Sequence, residues 1–174
     1  RDVYKRQELK FKVKPVIDVP VAYYFKNKGL LRTFGGFGSD LFRLRFFQFY
    51  QRLLVMSGFR NDPYDSFDWI INRQKSVKEK FQFFFLIGDY STYDKNISLN
   101  KKPFVSLIKS VSDYCDVGLK ASFKALDNPD TLKSEKLRLE RTTLRELTAV
   151  RNSFSKLNLP VSYRIFNDLE FKQD

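Results

Sequence analysis

Apolar residues gather in four short runs along this chain, VIDVPVAYYF (16–25), FQFFFLIGDY (81–90), DVGLKASF (116–123) and TAVRNSF (148–154). Between the runs they recur at every third or fourth position among polar residues. The first pattern suits strands and the second suits helices with one buried face. The spacing predicts strands over residues 16–24, 81–88, 116–123 and 147–154, adjacent and parallel, with helices between them. FQFFFLIG is apolar at odd and even positions alike, as a strand covered on both faces must be. Pro20 donates no ladder hydrogen bond, so it places the first run at an edge, a bulge or a strand end.

In LFRLRFFQFYQRLLVMS (41–57), residues Leu41, Phe42, Phe46, Phe49 and Leu53 recur at helical spacing, predicting one helix whose stripe packs into the core. FGGFGSDL (34–41) has glycines but neither a preceding strand nor a GKS or GKT ending, so it reads as a turn rather than a phosphate loop. Asp62 before Pro63 reads as a turn or cap leading to a helix with Phe67, Ile70 and Ile71 inward. KKPFVSLIKSVSDYC (101–115) turns Phe104, Leu107, Ile108 and Val111 to one side. Asn128 followed by Pro129 starts a further helix, and Pro160 opens the last. Strands separated by helices argue for an α/β fold with a parallel sheet.

Composition narrows the picture. With 174 residues, 43% hydrophobic and 17% aromatic, the chain can fill one domain core. Lys+Arg 32 against Asp+Glu 20 gives +12, which attracts phosphates, anionic glycans or membrane surfaces. The basic residues are scattered, as in KNKG (26–29), RQKSVKEK (73–80) and KSEKLRLER (133–141), and read as solvated faces; nucleic acid is accordingly disfavoured as a partner. Cys115 has no second cysteine to pair with, and the chain contains no histidine, the commonest metal ligand and general base. No run reaches the ~18–20 apolar residues of a spanning helix, so no membrane span is expected. The opening RDVYKRQ is polar, lacks a starting Met and resembles a read-through segment of translated metagenomic assemblies. Residues 1–15 are therefore expected to be non-native or a linker.

In parallel α/β architectures, sites collect at the carboxyl ends of the strands. Those ends carry Asp18, then Asp89 and Asp94, then Lys120 and Ser122, then Arg151 and Ser153. An ionised carboxylate inside an apolar run needs a cation, a metal or a route to water, which makes Asp18 the first candidate. If the first and third strands are neighbours, the Lys120 ammonium can reach Asp18, with Arg151 as a second partner; the alternative leaves Lys120 extended into solvent and Asp18 at a wet strand end.

At these residues a family resemblance enters. The succession IDV…AYYFKNKGLLRTFGG, DPYDSFDWI, FFFLIGDYSTYDKNIS, VGLKASFKA and VRNSFSKLNLPVSYR resembles the polysaccharide deacetylase family with NodB homology, in its Bacteroidetes-type branch, over residues 16–174. The resemblance implies a TIM-like (β/α) barrel, here its N-terminal part truncated at the C-terminus. It also implies a bacterial hydrolase of carbon–nitrogen, non-peptide bonds in carbohydrate metabolism, in which zinc or another divalent metal activates water against N-acetyl groups of a glycan. Matched residue by residue, Asp18 and Arg151 keep the family's identities, as candidate catalytic positions. Pro20 stands for the second carboxylate of an Asp-Val-Asp motif. Lys120 and Ser122 stand in a His-Pro-Ser motif and Ser153 in an Arg-Gln-His motif, so the metal positions are degenerate. The expectation is a pseudoenzyme of this family that holds no metal cofactor and has a glycan as its possible partner. An active deacetylase with a non-standard site and a basic non-catalytic module for nucleic acid or acidic polymer are the alternatives. The glycan, the compartment (bacterial cytoplasm or cell envelope) and the oligomeric state stay open.

Overall fold

The structure, a computed structural model, describes residues 13–173. The expectation for residues 1–15 therefore falls almost wholly outside the described residues. Four strands, β1 (Val16–Val19), β2 (Gln82–Leu86), β3 (Asp116–Ala121) and β4 (Val150–Asn152), form one parallel sheet in the order β1-β2-β3-β4. The sheet curls like half of a barrel. Six α-helices accompany it among the described residues: α1 (Leu30–Phe42), α2 (Phe46–Met56), α3 (Phe67–Lys75), α4 (Lys102–Tyr114), α5 (Pro129–Thr143) and α6 (Val161–Asp168). All four strands fall inside the expected runs and are parallel, though each is shorter than expected. β1 stops at Val19 because Pro20 cannot continue its ladder. Beyond β4, a single parallel bridge joins Ala149 to Gln173.

Parallel register partners share a face of the sheet. Phe83, Phe85, Leu119, Ala121 and Val150, all fully buried, face the helices and meet Phe67, Ile71, Phe104, Ile108, Val111, Leu132 and Leu139. Each buried phenylalanine there contributes about 2–3 kcal/mol. The opposite face carries Asp18, Phe84 and Gly118 in one row and Leu86, Lys120 and Arg151 in the next. All five residues of β2 are buried, which accounts for its apolar character on both sides. α4 turns Phe104, Leu107, Ile108 and Val111 inward as the spacing predicts, and Asn128 caps α5 by accepting the Thr131 N–H at 3.0 Å.

Four expectations are corrected. The glycines of FGGFGSDL lie within α1 rather than in a turn. The single helix over 41–57 is two, broken where Leu44 takes a left-handed φ of 53° and the Arg45 N–H closes on the Asp40 carbonyl at 2.7 Å. Leu41, Phe42, Phe46 and Leu53 are not core: they are exposed, because α1 and α2 pack chiefly on each other and leave their helical stripe outward. The reading of KSEKLRLER as a solvated face also fails at two positions. Glu135 and Lys136 are buried on the inner side of α5, where the Lys136 ammonium donates to the Leu169 carbonyl at 2.8 Å.

Candidate functional site

Three charges meet on the face that the helices leave open. Lys120 Nζ lies 2.9 Å from Asp18 Oδ2, and Arg151 Nε lies 3.3 Å from Asp18 Oδ1, so each carboxylate oxygen has its own cation. β1 and β3 are not neighbours, contrary to the condition set on this contact, since β2 runs between them. Two strand spacings amount to about 9.6 Å. Lys120 crosses that distance because it sits one pleat beyond Asp18 and its four-carbon stem can lie over β2. Its side chain is 13% exposed, against 34% for Asp18 and 47% for Arg151. The ammonium therefore does not extend into solvent. The inner part of the cluster is drier than its Arg151 side.

Phe84 is the floor of this cluster. Its ring lies over Gly118, where a Cβ would come within 2.5 Å of ring carbon Cε1, and the Arg151 guanidinium stands 5.9 Å from the ring centroid. Gly118 thus makes room for the aromatic, which in turn supports the arginine. Beside it opens a cleft of ≈ 580 Å³ bounded by Val16, Gln82, Phe84, Arg151 and Leu157. Asp18 and Lys120 do not line it. The cleft runs from the amino ends of β1 and β2, at Val16 and Gln82, to the carboxyl end of β4, and of the three charges only Arg151 lines it.

Of the other candidate positions, Ser122, Ser153 and Asp94 are engaged in internal contacts. Ser153 is buried and donates its hydroxyl to the Ala121 carbonyl at 2.6 Å. The Ser122 N–H donates to Glu135 Oε2 at 3.2 Å, and the Ser122 hydroxyl accepts the Ala125 N–H at 3.3 Å. Pro20 is exposed at the end of β1. Asp89 reaches Arg138 at 3.3 Å with an exposed carboxylate. Asp94 is buried and accepts from the Phe123 N–H at 3.0 Å and the Ser91 hydroxyl at 3.2 Å, holding the β2 and β3 exit loops together. The structure brings Asp18, Lys120 and Arg151 together and assigns Ser122, Ser153 and Asp94 to loop anchoring.

Sequence reasoning missed the structural roles of Glu135 and Asp62, both buried carboxylates. Burial pushes the Glu135 carboxyl above its usual range; hydrogen bonds from the Ser122 hydroxyl and N–H pull the other way without cancelling it. For Asp62, burial alone would raise the carboxyl. The backbone N–H groups of Lys26, Phe25, Tyr24 and Tyr64 outweigh it and hold the group below its ordinary value. Asp62 is therefore a staple on the segment after β1, with donors at 2.7 Å from Tyr24 and Phe25 and 2.9 Å from Lys26. The Asp-Pro pair signalled a local turn but gave no sign of this distant partner. Burial also pushes the Cys115 thiol up, so it is not a ready nucleophile.

Zinc does not fit these residues. A catalytic zinc needs about three protein ligands and an open position. Both Asp18 oxygens face cations instead, and a protonated ammonium repels a metal ion. Among the described residues, no group of three or more acidic, cysteine or histidine side chains is placed to hold one. Compared with family models, with curated proteins and with solved structures, the chain matches none.

Proposed function

We propose that this chain is a polysaccharide-deacetylase-like domain in which an ion-pair cluster has replaced the hydrolytic centre, leaving glycan binding rather than removal of N-acetyl groups. The observation that carries the reading is the 2.9 Å contact of Lys120 Nζ with Asp18 Oδ2: the one matched acid is neutralised by a side chain standing at a matched metal-ligand position. A carboxylate held between an ammonium and a guanidinium is a poor base, because abstracting a proton would give up both charge-assisted bonds. A second support lies at the carboxyl ends of the strands. Tyr93 and Phe123 stack with centroids 4.1 Å apart, Phe154 meets Phe123 edge-on at 5.6 Å, and Tyr93 and Phe154 are exposed. Flat aromatic faces of this kind accept the C–H face of a pyranose ring.

The test has two arms. After dialysis the purified chain is assayed for bound zinc and for acetate release from N-acetylated oligosaccharides; neither is expected. Titration with the same oligosaccharides should show saturable binding that Tyr93→Ala weakens. Stoichiometric zinc with turnover abolished by Asp18→Ala would overturn the non-hydrolytic reading, and absence of any oligosaccharide binding would overturn the glycan reading.

A further inference from the structure

The α1–α2 hairpin presents a large apolar surface with nothing over it among the described residues. On α1, Leu30, Leu31, Phe34, Leu41 and Phe42 fall within about 120° of arc, and on α2 Phe46, Phe47, Tyr50 and Leu53 do the same. Every one of these side chains is exposed, Leu31 at 91% and Phe42 at 93%. The sharp turn between the helices joins the two stripes through FRLRFF (42–47), where Leu44 is also exposed at 72%. A contiguous apolar surface of this kind on a water-facing hairpin marks an interaction site.

Charge decides what kind of partner fits. Residues 26–60 hold seven cations, Lys26, Lys28, Arg32, Arg43, Arg45, Arg52 and Arg60, and one acid, Asp40. Asp40 is buried and spent on Arg52 at 2.9 Å, whose guanidinium lies 4.9 Å from the Phe25 ring centroid and over Gly36. Among the described residues, none of the other six cations forms an ion pair. Burial first, and then the nearby Arg32 and Arg52, hold Lys28 below its ordinary value. A second copy of the hairpin would meet this surface with the same excess of positive charge, which argues against self-association. The partner must offer negative charge beside an apolar medium, with the two in layers, because Arg43 and Arg45 alternate with Phe42, Leu44 and Phe46 at the tip.

We propose that the α1–α2 hairpin is a membrane-surface anchor that lays its apolar face into the headgroup boundary of an anionic lipid layer, its arginines held at the phosphates. Neither helix spans, since no helix among the described residues is long and apolar enough to cross a bilayer. The hairpin lies in the interface plane, as amphipathic helices with a cationic fringe do. This inference is independent of the glycan reading.

The full 174-residue chain is sedimented with vesicles of phosphatidylcholine alone and of phosphatidylcholine with phosphatidylglycerol. Binding is expected to the second and not to the first, weakening as salt rises. Arg43→Gln with Arg45→Gln should lower affinity roughly 30-fold, about fivefold for each cation lost near the surface. Phe42→Ser with Phe47→Ser should weaken binding by at least as much, while leaving the circular dichroism and thermal midpoint unchanged because both side chains are exposed. Equal binding to both vesicle types, no binding to either, or a hairpin-dependent dimer that ignores lipid would each overturn the proposal. Unchanged affinity together with unchanged folding in both double variants would overturn it as well.

Discussion

Removing one charge from the Asp18–Lys120–Arg151 cluster should have an effect that depends on its sign. At 2.9 Å, the Lys120–Asp18 attraction is about 6 kcal/mol at an effective dielectric of about 20 and about 1.4 kcal/mol in bulk water. Lys120 is mostly enclosed and Asp18 is about one-third open, so the pair lies between these limits, and desolvation and side-chain ordering take back much of the gain. Lys120→Met leaves Asp18 still paired with Arg151 and puts a stem of similar length over β2. It should cost about 1–2 kcal/mol. Asp18→Asn removes the only negative charge between two cations that are direct register partners, Lys120 and Arg151. Their repulsion is then uncovered, and the cost should be larger, about 2–3 kcal/mol. In the double variant a single cation remains and the repulsion vanishes, so the total should be about 2 kcal/mol less than the sum of the two single changes. Urea unfolding of the four proteins at one pH, with a common slope, gives the coupling directly. Additivity to within ~0.5 kcal/mol, or an Asp18→Asn change milder than Lys120→Met, would refute the claim that the carboxylate holds two cations together.

Gly118→Ala should destabilise by about 1–3 kcal/mol, because its methyl would meet the Phe84 ring at 2.5 Å and the Ala149 carbonyl at 3.0 Å. The paired control Gly35→Ala, in open space within α1, should stabilise by about 0.5–1 kcal/mol, and thermal midpoints compare the two. Glu135 has a raised folded pKa, so its contribution is present in full below the ordinary glutamate value of about 4.3 and is lost as pH rises through its folded value. Glu135→Gln should therefore gain stability over the parent as pH rises above that window and show little difference below it, in urea midpoints taken at acid and neutral pH. Asp62 has the opposite sign: its depressed pKa stabilises the fold above the ordinary aspartate value of about 3.9, and this is lost as pH falls through the folded value. Asp62→Asn should cost about 2–3 kcal/mol at neutral pH and flatten that acid limb of the stability profile.

The sheet was legible because its strands are short, apolar and separated by strongly periodic helices. QFFFL reads as a strand covered on both faces, and Asn128-Pro129 reads as a helix start. The hairpin departs from its sequence reading for a physical reason. Helical spacing of Leu41, Phe42, Phe46 and Leu53 shows that they share a face, but periodicity carries no information on whether anything covers that face. The turn expected at FGGFGSDL follows from glycine propensity, a weak prior that contacts override, since Arg52 lies close over Gly36, where a side chain would clash. The charge cluster was legible in its members and not in its geometry. Asp18 needed a cation on desolvation grounds alone, but that β2 runs beneath the contact is a matter of strand order, which no local pattern encodes.

The buried acids have partners of a different kind from those of Asp18. Asp62, Asp94 and Glu135 each accept backbone N–H groups of a segment leaving a strand: Asp62 from residues 24–26 after β1, and Asp94 and Glu135 from Phe123 and Ser122 after β3. These carboxylates hold the loops at the mouth of the sheet by hydrogen bonding. Asp18 differs because it stands on a strand, on the open face, where no backbone donor can reach it. A carboxylate in that position demands positive charge from side chains, and Lys120 and Arg151 supply it from the two strands beyond β2. Ser122 and Ser153 flank those two strands with hydroxyls already committed to neighbouring backbone. Any other cation at this point would have to displace the Lys120 ammonium from Asp18 Oδ2 first, and with it would go the contact that ties β1 to β3 across the sheet.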